Sequence, residues 1–433
     1  MRRAIGVLSI STLILVGLPA VPFLGTPDIA EATPSAITTR VSVSSAGDQG
    51  NAGSGGGRIS ETGQFVAFVS SASNLVAGDT NGVSDVFVHD RSTGTTTRVS
   101  VSSTGAQANG ASGPADISAD GRIVAFQSAA SNLVSGDTNG VSDVFVRDLQ
   151  AGSTTRVSVS SSGAQANGAS STWDLAISAD GRYVTFSSAA TNLVSGDTNV
   201  AGDVFVRDRQ NGTTTRVSLT SRGKQSSGPT WAEDISGDGS RVFFWGGDNT
   251  GLVQGDRNGM EDYFVRDRNT GVTSLVSVSS SGQQGDRNIN PYDGGGALSQ
   301  DGRYAFFQTD ATNLVPADTN VAQDIFMRDL AASTTTRVSL TYQGNEISDP
   351  ARPGANLGSV SPDGRYLAFW SRASDIVPGD NVLCSSGSRN CSDAFVRDLS
   401  TGSVVLVSRN ASKSQGDNDS DWPSISADGR FIA

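Results

Sequence analysis

A turn pattern, Ser-x-Asp-Gly-Arg in its fullest form, recurs along this chain at intervals of 58, 60, 58, 63, 62 and 65 residues. Its Asp falls at Asp120, Asp180, Asp301, Asp363 and Asp428. Asp238 stands in the variant Ser-Gly-Asp-Gly-Ser, and the first copy has Thr62-Gly63. Behind each turn comes an apolar run, such as Ile123 to Ser128, and then a polar loop rich in Gly, Asp and Asn. A run of the type Asp-Val-Phe-Val-Arg-Asp follows, starting at Asp85, Asp143, Asp203, Asp262, Asp324 and Asp393. The unit ends on a Thr-Arg-Val-Ser segment, seen around Val41, Val99, Val157, Val217, Val276, Val338 and Val407. Four short strands per unit, one unit after another, predict an all-β chain folded as a β-propeller of four-stranded blades.

The count predicts seven blades. There are seven turn hairpins and seven final strands but six middle strands. The chain begins on a fourth strand (38–44) and stops inside a second strand (Phe431-Ile432-Ala433), so the seventh blade is expected to be split between the termini. Its missing third strand makes a piece of a longer chain the favoured expectation. Middle strands read as continuous apolar runs, which suits sheets covered on both faces. Fourth strands alternate, Val157 and Val159 against Arg156 and Ser158, which suits an outer edge with one wet face.

Residues 1–32 read as a secretory signal peptide. Met1-Arg2-Arg3 is followed by an apolar stretch to about Leu24 and an Ala30-Glu31-Ala32 cleavage site. The expected mature domain is 33–433, outside the cytoplasm, secreted or periplasmic, with no further membrane span. Cys384 and Cys391 are then expected to form a disulfide that staples one loop. Net charge is −12 and only Lys224 and Lys413 are lysines. No basic run could neutralise phosphates, which argues against nucleic acid as a partner.

The repeat Ser361-Pro362-Asp363-Gly364-Arg365-Tyr366-Leu367-Ala368-Phe369 resembles the TolB-like, WD-repeat-like β-propeller unit. Two further segments extend that resemblance, Asp393-Ala394-Phe395-Val396-Arg397-Asp398 and Val404-Val405-Leu406-Val407-Ser408. It covers nearly all of residues 38–433. It departs from the family unit in its long loop between second and third strands. The resemblance implies the fold, and a propeller frame hosts many unrelated functions.

For chemistry, the single histidine, His89, stands where other units put arginine, so neither a His-based triad nor a His-rich metal site can be assembled. No catalytic residue is expected. The loop Gly-Asp-Thr-Asn-Gly-x-x-Asp repeats oxygen donors that suit Ca²⁺. These donors are Asp79, Asn81 and Asp85; Asp137, Asn139 and Asp143; Asp197, Asn199 and Asp203; Asp256, Asn258, Glu261 and Asp262; and Asp318, Asn320 and Asp324. The competing reading is that Asp and Asn cap turns through their own side chains. In an up-and-down blade this loop and the link to the next blade emerge on one face, the expected ligand face. Trp173, Trp231 and Trp422 are placed near it, while Trp245 and Trp370 are expected in the core. The function expected is a binding or scaffold module for a protein, or next for a polysaccharide. The alternatives are the propeller portion of a longer prolyl-oligopeptidase-like serine hydrolase, or a calcium-stabilised adhesive surface protein.

Overall fold

The computed structural model describes residues 37–291, 295–349, 354–380, 391–410, 412 and 414–433, without the side chains of 172–174. Among these residues there is no helix, and hence none long and apolar enough to cross a membrane. They form six four-stranded antiparallel sheets, each in simple sequence order. Blade 2 is typical, with strands Ser112–Ile117, Ile123–Ser128, Asp143–Asp148 and Ser153–Arg156. The blades span 54–98, 112–156, 170–216, 230–275, 296–337 and 356–406.

Each blade is fastened internally by a cross-strand Phe–Phe pair between its second and third strands, and blade 4 adds Phe243 against Tyr263. Phe126 opposes Phe145 in register, ring centroids 5.8 Å apart, and the same pair recurs as Phe68–Phe87, Phe186–Phe205, Phe244–Phe264, Phe307–Phe326 and Phe369–Phe395. Such pairs add about 0.5–1.5 kcal/mol beyond the area they bury. Side chains above and below them fill the spaces between blades, so the middle strands are apolar on both faces.

The structure has six blades, not seven. The seventh place in the ring is held by the terminal segments, which do not make a sheet. Residues 424–433 form a hairpin with a single bridge, Ile425 to Ile432. Residues 38–44 run separately along the neighbouring blade. A sheet there would need a third strand to join them, and the sequence contains only six Asp-Val-Phe-Val-Arg-Asp segments, all used elsewhere.

Contacts between neighbours nonetheless run all the way round. The turn glycine of each unit lies against the first side chain of the preceding unit's second strand. Gly121 meets Phe65, Gly181 meets Ile123, Gly239 meets Tyr183, and Gly302 meets Arg241. Gly364 meets Tyr304, Gly429 meets Tyr366, and Gly63 meets Phe431, which closes the circle. In blades 1 to 5 a Thr hydroxyl of the outer strand donates to the link of the preceding unit, as in Thr154 Oγ1 to the Val101 carbonyl at 2.5 Å. Thr38 Oγ1 makes the same bond to the carbonyl of Arg409.

Candidate functional site

The two faces of the ring differ in build. One carries the short turns. There the residue following the turn serine donates its backbone N–H to the carbonyl of its counterpart in the next unit at five junctions: Ala119 to Ala179, Ala179 to Gly237, Gly237 to Gln300, Gln300 to Pro362, and Ala427 to Glu61. The Gln300 amide also donates to Glu61, joining blade 5 to blade 1. The other face carries the long loops after second strands and the links between blades. As expected for an up-and-down blade these lie together, and they are joined by hydrogen bonds. In blade 2, Asn139 Nδ2 donates to Asp143 Oδ2 (3.0 Å) and to the Ala166 carbonyl (3.0 Å), and Gln165 Nε2 donates to Asp137 (2.8 Å) and to Asp143 (3.2 Å).

The repeated Asp and Asn side chains do converge within each loop. In four blades an arginine from the end of the fourth strand lies between the two carboxylates. Arg156 Nη1 is 3.3 Å from both Asp137 and Asp143, and Arg216 Nη1 is 3.1 Å from Asp197 and 3.0 Å from Asp203. Arg337 faces Asp318, Asp324 and Glu346 at 3.3, 3.1 and 2.7 Å, and Arg98 faces Asp79 and Asp85 at 3.5 and 3.9 Å. The last Asp also accepts a serine hydroxyl, as Ser158 to Asp143 at 2.5 Å, and Asn139 Oδ1 accepts the Val141 N–H in a local turn. Burial raises the Asp203 carboxyl and pushes Asp318 up to about 6, where Asp324 adds to the rise against Arg337. The guanidinium was not foreseen as a partner of these loops. The signal was present, since Arg98, Arg156, Arg216 and Arg337 end the repeated Thr-rich strand.

At the tips of these loops the backbone turns left-handed. Gly82, Gly140 and Gly259 take φ of +69°, +68° and +68° there. Val200 and Val321 take φ of +55° and +53° at the equivalent places, with side chains 88 % and 56 % exposed. A β-branched residue in this region is an outlier that costs on the order of 1–2 kcal/mol. Trp422, which sits outside these loops at the first-strand position of Gly56, is also left-handed, at φ +52° and 55 % exposed. Of the other tryptophans, Trp231 is half-buried and stacks on Trp245 at 3.9 Å, so one of its faces is covered. Trp245 is buried and Trp370 half-buried. The side chain of Trp173 lies outside those described.

The first strands line the centre, and in four units the residue two before the turn serine joins neighbours. Asp116 accepts the Ile177 N–H (2.9 Å), Asp234 the Leu298 N–H (2.7 Å), Ser359 the Ile425 N–H (2.9 Å) and Ser424 the Ile59 N–H (3.1 Å). Asp234 is open to the central channel yet surrounded by protein. Burial pushes its carboxyl up to about 7, Asp116 adds to that, and Arg58 opposes it. Burial likewise raises Asp116, opposed by Arg58. Sequence reasoning missed this group because the position is Arg, Asp, Ala or Ser by unit, with no repeat to mark it.

The fold has relatives among solved structures. TolB from Acinetobacter baumannii is 14% identical with a TM-score of 0.40, over 74% of this chain and 58% of that one. A putative TolB from Agrobacterium tumefaciens is 17% identical with a TM-score of 0.40, over 72% and 83%. A prolyl endopeptidase structure is 11% identical with a TM-score of 0.43, over 82% and 49%. The chain thus spans less than two thirds of the Acinetobacter protein's length. No protein-family model and no curated protein matches the sequence.

Elsewhere in the blade, the adjacent Arg147 and Asp148, like Arg207 and Asp208, point to opposite sides of their strand. Asp148 is instead held by Arg122 of the turn, at 3.1 and 2.7 Å, and Arg147 donates to Thr154 Oγ1 and to the Ser102 carbonyl of the preceding link. His89 repeats the Arg147 arrangement, its Nδ1 2.9 Å from Thr96 Oγ1, and burial lowers its pKa. Cys391 is buried, and no free cysteine is found among the described residues; Cys384 lies outside them, as do residues 1–32.

Proposed function

We propose that this protein is an exported binding propeller that engages a protein partner of the cell envelope or extracellular space through its loop face. The observation that carries the reading is the pair of exposed apolar side chains held in left-handed backbone at the loop tips, Val200 and Val321. Strain of this kind persists where surrounding structure enforces it, and it concentrates at ligand-contacting segments. Glycine serves at the same loop position in three other blades, so the fold itself does not require valine. Both side chains are aliphatic, which suits an apolar pocket on a protein better than the flat face of a sugar. Trp231, the residue best shaped for sugar stacking, already has a ring against it. The N-terminal export pattern supports placing the encounter outside the cytoplasm. Binding rather than catalysis is favoured by the engagement of the one histidine with Thr96.

Photo-crosslinking residues introduced at positions 200 and 321, and separately at Thr93 and Asn211 on the turn face, test this with the full chain and envelope extracts. The expected result is one discrete protein adduct from the first pair and none from the second. Adducts from the turn face alone would overturn the proposal.

A further inference from the structure

We propose that blade 4 carries a binding site for one divalent, oxygen-seeking cation of calcium size, between Asp256 and Asp262. The inference is independent of the loop-face reading above and starts from a substitution inside the repeat. Blades 1, 2, 3 and 5 place Arg98, Arg156, Arg216 and Arg337 between the paired carboxylates. In blade 4 the residue at that strand position is Leu275, which packs on the apolar cluster of Val204, Phe244 and Phe264. The carboxylates stay while their cation is gone.

What remains around the pair is oxygen-rich. Asp262 is 2 % exposed; its Oδ1 accepts the Ser277 hydroxyl, and its Oδ2 is buried without a hydrogen bond. In blades 2, 3 and 5 the matching Oδ2 is the atom that meets the guanidinium, at 3.3, 3.0 and 3.1 Å. Asn258 stands close enough to favour the ionised form of Asp262, but its amide donates to the Gly285 carbonyl at 3.2 Å. Asp256 accepts one hydrogen bond, from Gln284 Nε2 at 3.1 Å. The carbonyl of Gly255 is the counterpart of those of Gly136, Gly196 and Ala317, which accept the arginine Nη2 at 3.3–3.4 Å in the other blades. Two carboxylates and a loop carbonyl, half-open to water through Asp256, are the ligands a hard divalent ion takes, with water completing its shell. Two negative charges with no arginine between them set the ion's charge at two.

Two other acidic groups were weighed and carry less. Asp318, Asp324 and Glu346 form a three-carboxylate cluster, but Arg337 already sits among them. Blade 6 also has leucine in the arginine's place, Leu406, but Arg409 stands near both Asp380 and Asp393.

Calorimetric titration of calcium into the metal-stripped full chain, beside the variants Leu275→Arg and Asp256→Asn, tests the site. Wild type is expected to take up calcium and to melt at a higher temperature with calcium than with chelator. Leu275→Arg is expected to lose one equivalent of calcium and to melt in chelator at or above wild type, because the guanidinium then does in blade 4 what Arg156 does in blade 2. Asp256→Asn should bind at least tenfold more weakly, and it serves if the arginine variant does not fold. The proposal is overturned if wild type binds no calcium, or if neither variant changes the stoichiometry or affinity.

Discussion

Val200 and Val321 show how one residue can separate stability from function. Each sits where the loop needs positive φ, and each carries a branched Cβ that this conformation disfavours. Asparagine tolerates the left-handed region far better, without the unfolded-state entropy that glycine would add. Val200→Asn and Val321→Asn are therefore expected to stabilise the fold by about 1 kcal/mol each, read from urea midpoints at unchanged slope. Asp234 makes a prediction of a different kind. Its folded-state pKa is raised to about 7, so its favourable contribution is complete below the unfolded value, about 3.9, and is lost as pH rises through 7. Burial sets most of that rise, the Leu298 N–H lowers it, and the charges of Asp116 and Arg58 act on it in opposite directions. Asp234→Asn should flatten the fall in stability between about pH 4 and 7, measured by urea titration at several pH values. Asp148, Asp208 and Asp329 run the other way. Hydrogen bonds from Arg122, Arg182 and Arg303 hold them at about 2, so their contribution is lost only as pH falls towards that value.

At the scale of elements, the unit is a hairpin, a loop and a second hairpin, and its turn glycine belongs to two blades at once. Gly239 has φ of +71°, and a Cβ there would lie 2.1 Å from the Tyr183 ring of the preceding blade. Gly239→Ala combines backbone strain with overpacking and is expected to cost on the order of 3 kcal/mol, seen as a lower urea midpoint. The second and third strands were legible in sequence because both faces are buried, which leaves uninterrupted apolar runs such as Val144-Phe145-Val146. The fourth strand was read too long, with Val157, Ser158 and Val159 included in its alternation. It ends at Arg156, after which Val157 N–H still bonds the Val144 carbonyl but the chain turns into the link. The acidic loops were legible as constellations of oxygen atoms. Their arginine partners were not, because they come from a strand whose alternation hid which side each residue faces.

For the whole molecule, the repeat fixed the architecture, and the count of blades was where sequence arithmetic failed. Seven turns make seven contacts round the ring, yet a sheet needs its third strand, and that segment occurs six times. The terminal hairpin therefore acts as a wedge between blades 6 and 1, fixed by Phe431 against Gly63 and under Arg91, 4.3 Å from its ring centre. Phe431→Ala should cost about 3 kcal/mol and loosen that junction first, visible as faster amide exchange in strands Ser54–Ile59 and Asn356–Val360 than elsewhere. The functional surface was less legible than the frame. Exposure and backbone strain at a loop tip depend on three-dimensional context, and a valine in place of a glycine reads in sequence as ordinary drift. The most direct measurement of the central claim is the affinity of the captured partner for wild type and for the Val200→Asn/Val321→Asn variant. A loss of roughly tenfold or more in affinity, from a protein that is more stable than wild type, is the predicted result. Equal affinities would contradict the assignment of the loop face as the binding surface.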